Sequence, residues 1–390
     1  LGGAPRSNAA AISAVSGAVL PWNVTPSSAV LALALGNGTV YVGGGFTNVN
    51  GTPSDGLVAV DPVTGTIRPD WAFTADTSSG TPVIRTLYAS TNLFVGGLFT
   101  SVGSQSVRFL ASVHPDTGEP SNFNARLGGG STGVKALALS GDTLFVAGDF
   151  TTVNSVSRAR LTGVNKDTGA PVSWTPAPNQ PPLALATTAD RLYVVGPFTQ
   201  ISGVATRLAV AFDLSTLTLI PWNPSVPASA TTINAVAADE TVVYMAGEFD
   251  SLGGEFRAHL AGLNPGTAQA LEWNPAPNVP PTTLVLSEEF VCYGGPFRTV
   301  GSAPNTYPLG YVAVHPRAPL ALSSLVAGGT LTLRTTTGDR TLAILEATAD
   351  LGLGSAGWTP LSTNEQPGTV WTLDLPAGPD PERFFRVRTE

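Results

Sequence analysis

The side chains that could do chemistry are few. The 390-residue chain has three histidines and one cysteine. His114 and His315 stand at the ends of short apolar runs where related positions hold Asp or Asn, and His259 stands just before such a run. None has a His, Cys or Glu partner at ligand spacing, so turn or loop contacts are expected of them and no metal is. Cys292 lies inside an apolar motif and reads as a small buried hydrophobe rather than a thiolate nucleophile, and a single cysteine forms no intrachain disulfide. No Gly-x-Ser-x-Gly elbow, phosphate loop or Asp-x-Asp-x-Asp-Gly calcium loop occurs, so no cofactor is expected. The glycine triplets at 43–45 and 128–130 read as backbone spacers. Asn23, Asn37 and Asn50 open glycosylation sequons, a pattern too common to carry weight.

Two sets of charges remain. Asp149 and Glu248 follow motif glycines, but related positions hold Gly45, Leu98, Pro197 and Pro296, which makes a poor pair for glycosidic acid and base work. Arg6, Arg108, Arg158, Arg207 and Arg257 recur, four of them eight or nine residues after a motif phenylalanine. Each guanidinium is expected to bridge loop carbonyls or stack on an aromatic ring. The functional alternative is a ring of arginines on one rim, contacting an anionic glycan. Exposure around a rim would mark the second.

What must position these residues is a repeat. Tyr-Val-Gly-Gly-Gly-Phe-Thr at 41–47 returns in recognisable form at 94–100, 145–151, 193–199, 244–250 and 292–298, with its phenylalanine at 46, 99, 150, 198, 249 and 297. A step near 50 residues suits propeller blades better than helical repeats. Around each copy four strand-like segments stand in fixed order. Strand a is apolar (29–35, 134–139, 233–238), with small residues such as Ala34, Ala138 and Ala237 suiting a crowded inner strand. Strand b is the motif. Strand c (56–60, 109–113, 161–164, 208–212, 260–263) ends at Asp61, His114, Asn165, Asp213 or Asn264, residues that cap their own turns. Strand d carries Trp22, Trp71, Phe123, Trp174, Trp222 or Trp273. Short a-to-b and c-to-d turns with a long Pro-rich crossing to the next a predict an all-β, six-bladed β-propeller. A β-sandwich is the runner-up, but it needs no such period.

Composition agrees. Gly and Pro are abundant at 43 and 33, which suits short strands and tight turns. A net charge of −8 with lysine only at 135 and 166 leaves no basic stripe, so nucleic acid is not an expected partner. No run of about 18 apolar residues exists, so no membrane span is expected. No basic-then-apolar leader opens the chain, and a mature or trimmed product is the expectation.

Val-Gly-Gly-x-Phe-Thr, an Arg-x-x-Leu-Ala strand, Asp-x-x-Thr-Gly and Trp-Asn-Pro together resemble the delta-60-type β-propeller repeats of secreted and surface bacterial proteins, over roughly residues 1–316. The resemblance implies a fold and an extracellular or cell-surface setting, not an activity. Copies five and six depart from it, with Asp250 and Arg298 in the Thr position. There are six a, b and d segments but seven candidates for c, because 9–14 precedes Trp22 and 311–314 follows Phe297. The N-terminal d strand would close the last blade, leaving one c strand over as an edge for head-to-tail self-association.

After a linker at 317–319 the period stops. Residues 320–390 alternate apolar and polar residues in five segments (329–334, 342–345, 357–361, 370–375, 383–388) and predict a small β-sandwich-like domain, similar to C-terminal modules of secreted bacterial proteins ending in Phe-Arg-Val-Arg. The expected function is a non-catalytic scaffold or adhesion protein with protein or glycan partners, or a filament subunit. The alternative is a carbohydrate-binding or carbohydrate-active propeller.

Overall fold

The computed structural model describes residues 6–13, 18–78, 80–131, 133–287, 290–301, 307–308, 312–316, 323–327, 330–334, 343–348, 359–364, 370–374 and 384–389, and among them no helix occurs. The chain divides into two compact units, 1–286 with 291–315, and 287–290 with 316–390.

Each of the six sequence repeats holds a three-stranded antiparallel sheet with b between a and c. Strand a is Val30–Gly36, Val83–Ala89, Val134–Ser140, Ala184–Thr187, Ile233–Ala238 and Thr283–Leu286. Strand b is Thr39–Gly44, Leu93–Leu98, Thr143–Gly148, Arg191–Val195, Val243–Gly247 and Phe290–Gly294. Strand c is Leu57–Val60, Leu110–Val113, Leu161–Asn165, Ala209–Asp213, Leu260–Leu263 and Val312–Pro316. Each strand a lies beside the strand a of the next repeat, in chain order from the first to the sixth.

The second motif glycine has a steric cause. A Cβ on Gly44 or Gly97 would come 2.2 or 2.1 Å from the carbonyl oxygen of Ala29 or Val83, and Gly148 and Gly247 meet Gly133 and Thr232 in the same way. Strand a bulges there: its register with b slips between Val30 and Ala32, with equivalent slips in repeats 2, 3 and 5. Only a residue without Cβ lets b pass that close.

The fourth segment differs from expectation. It is not a strand in repeats 1 to 5 but a single antiparallel bridge to strand c, Val60 with Ile67, Val113 with Pro120, Val164 with Pro171, Phe212 with Leu219 and Leu263 with Ala270. Proline contributes to the brevity, since it offers the ladder no N–H: two of the five bridge residues are themselves proline, Pro69 stands two residues after the first bridge, and Pro176, Pro224 and Pro275 stand two residues after Trp174, Trp222 and Trp273. The aromatic still packs. Tyr41–Trp71, Phe94–Phe123, Phe145–Trp174, Tyr193–Trp222 and Tyr244–Trp273 ring pairs, at 5.0 to 5.9 Å between centroids, join strand b to this segment within each repeat.

The loop between b and c hides a small hairpin. Asn48–Val49 pairs with Thr52–Pro53, Thr152–Val153 with Val156–Ser157, Gln200–Ile201 with Val204–Ala205, and Ser251–Leu252 with Glu255–Phe256. Their tips, Asn50-Gly51, Asn154-Ser155, Ser202-Gly203 and Gly253-Gly254, all have positive φ, as a type I′ turn demands. The first tip amide reaches the preceding repeat. Asn50, Gly103, Asn154, Ser202, Gly253 and Gly301 donate to the carbonyls of Thr25, Thr74, Ala125, Pro176, Pro224 and Pro275, at 2.6 to 3.2 Å, just beyond each aromatic.

The apolar cores lie between repeats. Tyr41, Leu57 and Trp71 of the first pack with Ile84, Val95 and Phe99 of the second, and the same interface recurs down to the fifth and sixth. Ala34 and Ala138 belong to such interfaces. The N-terminal segment stands where a preceding repeat would. Trp22 and Val24 pack on Val42, Phe46 and Val49, and Ile12 bridges Val19 as strand c bridges the fourth segment elsewhere.

In the second unit Ser323–Ala327, Thr330–Arg334 and Val370–Asp374 form one antiparallel sheet, and Thr359–Asn364, Ala343–Thr348 and Phe384–Thr389 another. Ser323–Ala327 is a strand beyond the five expected. The linker at 317–319 lies outside the described residues.

Candidate functional site

Four of the five recurring arginines end on main-chain oxygens. Arg6, Arg158 and Arg257 each donate to the carbonyl fourteen residues downstream, that of Leu20, Val172 or Leu271, which lies two residues before the aromatic. Arg207, one residue further from its motif phenylalanine, instead donates to Pro227, Ala228 and Ala230 at 2.9, 2.6 and 2.6 Å. These guanidiniums tie the hairpin loop to the fourth segment or to the crossing beyond it.

Arg108 does neither. It is exposed, with its guanidinium carbon 4.4 Å from the Phe109 ring centroid. It lines a cavity of about 390 Å³ with Ser106, Leu127 and Arg126, which is also exposed. Arg126 recurs nowhere, so an argument from spacing misses it. The signal that finds it is a departure: the position three after the aromatic has positive φ in four repeats, and the others fill it with Ala177, Ser225 and Ala276.

The remaining candidates are spent locally. Asp61, Asn165, Asp213 and Asn264 each accept the backbone amides two and three residues on, closing the turn after strand c. Hydrogen bonds from the Ser215 hydroxyl and then from Thr216 hold Asp213 down at about 2. Those from Thr64 lower Asp61 in the same direction. His114 Nδ1 accepts the Asp116 amide at 3.2 Å. The His315 side chain lies outside the described residues. Burial pushes the Cys292 thiol up, away from a thiolate.

Asp149 accepts the Ser131 amide at 3.0 Å, while Glu248 is exposed two repeats away. A second cavity, about 270 Å³, lies among the a-to-b turns of repeats 4 and 5, and its charges serve the turns. Glu240 accepts the Ala189 amide at 2.7 Å, Asp239 the Thr241 amide at 2.7 Å, and Asp190 pairs with Arg191. Among the described residues no three His, Cys, Asp or Glu side chains cluster as metal ligands, and no helix is long and apolar enough to cross a membrane.

No family model matches the chain, and no curated protein does. Solved structures give distant likenesses. The designed protein Ika8 is 14% identical with a TM-score of 0.45, covering 87% of this chain and 88% of its own. The designed protein Ika4 is 16% identical at 0.31, covering 48% of this chain and 92% of its own. A chain from a mitotic checkpoint complex is 12% identical at 0.47, covering 80% of this chain and 88% of its own. Scores this low carry no argument about what the chain does.

Proposed function

We propose that this chain is a non-catalytic scaffold or adhesion protein of the cell exterior, built on a six-bladed β-propeller with a small C-terminal β-sandwich module. The observation that carries the reading is where the recurring polar side chains end. The Asx residues after strand c and four of the five arginines are bonded to backbone amides and carbonyls of the repeat scaffold. Such groups position backbone, not substrate. The resemblance to delta-60-type repeats supports the extracellular setting, which makes the partners protein or glycan.

Ring closure is supported by two unmatched halves. The N-terminal segment supplies a bridge, an aromatic and a carbonyl to the first repeat and shows no a or b strand among its described residues, while the sixth repeat has a, b and c. Joined, they make one blade. Head-to-tail pairing of copies would join them equally well and gives the filament reading.

A second reading, glycan binding, is favoured by the cavity at Arg108 and Arg126. Enzymatic turnover is the reading to test first. Incubating the protein with a panel of neutral and acidic polysaccharides and assaying new reducing ends is expected to give none above blank. Turnover that an Asp149→Asn, Glu248→Gln double variant abolishes would overturn the scaffold reading.

A further inference from the structure

In a repeat protein, a residue that departs from its equivalents without serving the fold is a candidate for function. Two such departures meet in repeat 2. Arg108 is the recurring arginine that is not bonded to a carbonyl, and Arg126 puts a long cation where three other repeats carry Ala or Ser. A third departure adjoins them. Here the second arm of the hairpin is reduced to a single bridge between Val102 and Gln105, next to Ser106, while Ser101–Val102 pairs with Ala75–Asp76 as Thr152–Val153 of repeat 3 pairs with Leu127–Gly128.

The three side chains Ser106, Arg108 and Arg126 line one cavity of about 390 Å³ that includes no carboxylate. Among the described residues neither guanidinium makes a hydrogen bond or an ion pair, whereas Arg158, Arg207 and Arg257 all do. The backbone beneath is fixed, because the Asn154 amide of the next repeat donates to the carbonyls of Ala125 and Arg126 at 3.2 and 3.3 Å. Positive φ at Arg126 costs a non-glycine residue about 1 kcal/mol, which Ala177, Ser225 and Ala276 bear as well, so the fold explains the backbone but not the guanidinium.

We propose that this cavity binds a carboxylate-bearing sugar unit, a hexuronate residue of an acidic glycan, with Arg108 and Arg126 as the carboxylate's partners and the Ser106 hydroxyl facing the ring. Two guanidiniums lining one cavity match a planar carboxylate by their N–H donors, and stacking on Phe109 holds Arg108 in place for it. The volume exceeds what an inorganic anion needs and falls in the range of small-ligand sites. The chain's net charge of −8 disfavours densely charged polyanions, which leaves a sparsely charged ligand. The inference rests on the glycan-binding reading, and its test separates the two.

Titration of the full chain, followed by calorimetry, uses glucuronate, glucose, acetate and neutral and uronate-containing oligosaccharides as probes. Glucuronate and uronate oligosaccharides are expected to bind saturably, glucose not, and acetate more weakly than glucuronate. Arg126→Ala keeps the fold, since Ala177 and Ala276 occupy the same backbone position, and is expected to weaken glucuronate by about tenfold or more. Arg108→Gln is expected to do the same, whereas Arg257→Gln leaves binding unchanged. Binding of neutral glycans alone would keep the glycan reading and overturn this one. So would glucuronate binding that Arg126→Ala does not weaken, or no saturable glucuronate binding at all.

Discussion

At the scale of single residues the chain spends its polar groups on turns, and this has a pH consequence. Asp213 accepts bonds from the Ser215 and Thr216 amides and hydroxyls, which lowers it from an ordinary 3.8 to about 2. A carboxylate depressed by folding contributes stability that is present above its unfolded value and is lost as pH falls through the folded one. Asp61 shifts in the same direction. The melting temperature is therefore expected to fall between about pH 4 and pH 2, and an Asp213→Asn variant, whose amide caps the turn without titrating, is expected to fall less over that window. Parallel acid profiles of the two proteins would remove Asp213 from the account. The capping role was legible because Asp and Asn recur at one place, just as the arginines do. Arg126 was not, because periodicity finds what repeats and passes over what departs. Nor did the sequence show that a one-residue difference, eight against nine after the phenylalanine, moves the guanidinium of Arg207 off the carbonyl that Arg158 and Arg257 use.

At the scale of elements the hairpin between b and c does more than its size suggests. The first amide of each tip is bonded to the preceding repeat's crossing segment, so these short loops hold neighbouring repeats together. Hydrogen exchange checks this directly. The amides of Ser202 and Gly253 are expected to exchange slowly, as sheet amides do, beside fast Gly203 and Gly254. Equal exchange at the two tip positions would mean that the contact to the preceding repeat is not made. Strands a, b and c were legible from alternation and the motif. The hairpins were signalled by Asn50-Gly51, Ser202-Gly203 and Gly253-Gly254, which are type I′ pairs, though arms of two residues are too short for alternation to register. The aromatic segment is regular in sequence without being a strand, because a recurring ring does not require a regular backbone around it. What recurs there is a ring that packs and a carbonyl that accepts, and one bridge suffices to place both. The left-handed residue opening strand c was equally hidden. Gly56, Phe109, Arg160, Leu208 and His259 share positive φ and the same bond from the motif glycine amide, yet only the first is a glycine.

At the scale of the molecule one apolar face decides the architecture. Leu33 stands on the side of strand a that faces the preceding repeat, and it is 62% exposed, while its equivalents Leu137, Leu185 and Val236 are 8%, 9% and 7% exposed. Leu31 and Leu35 share that side and its exposure, and at the other end of the repeats Val285 and Val312 are uncovered. Burying several large aliphatic side chains stabilises by about 1.5–3 kcal/mol each, so something is expected to cover them. Which surface does so can be read from the internal interfaces. The residue at the Leu33 position packs in one core with the residue that opens the preceding motif: Leu87 with Tyr41, Leu137 with Phe94, Leu185 with Phe145 and Val236 with Tyr193. In a closed ring the sixth repeat precedes the first, and the residue that opens its motif is Cys292, the chain's one thiol. A Leu33→Cys variant therefore carries two cysteines that closure would bring into one core, where a disulfide forms if their Cβ atoms come within about 4.5 Å. Mild oxidation is expected to give a monomer with both thiols lost, migrating faster without reductant. Cys292→Ser in the same background should abolish the shift. Disulfide-linked dimers and ladders would instead mean that copies join head to tail through the same two faces, and two thiols that stay free in a folded monomer would rule out closure through this face.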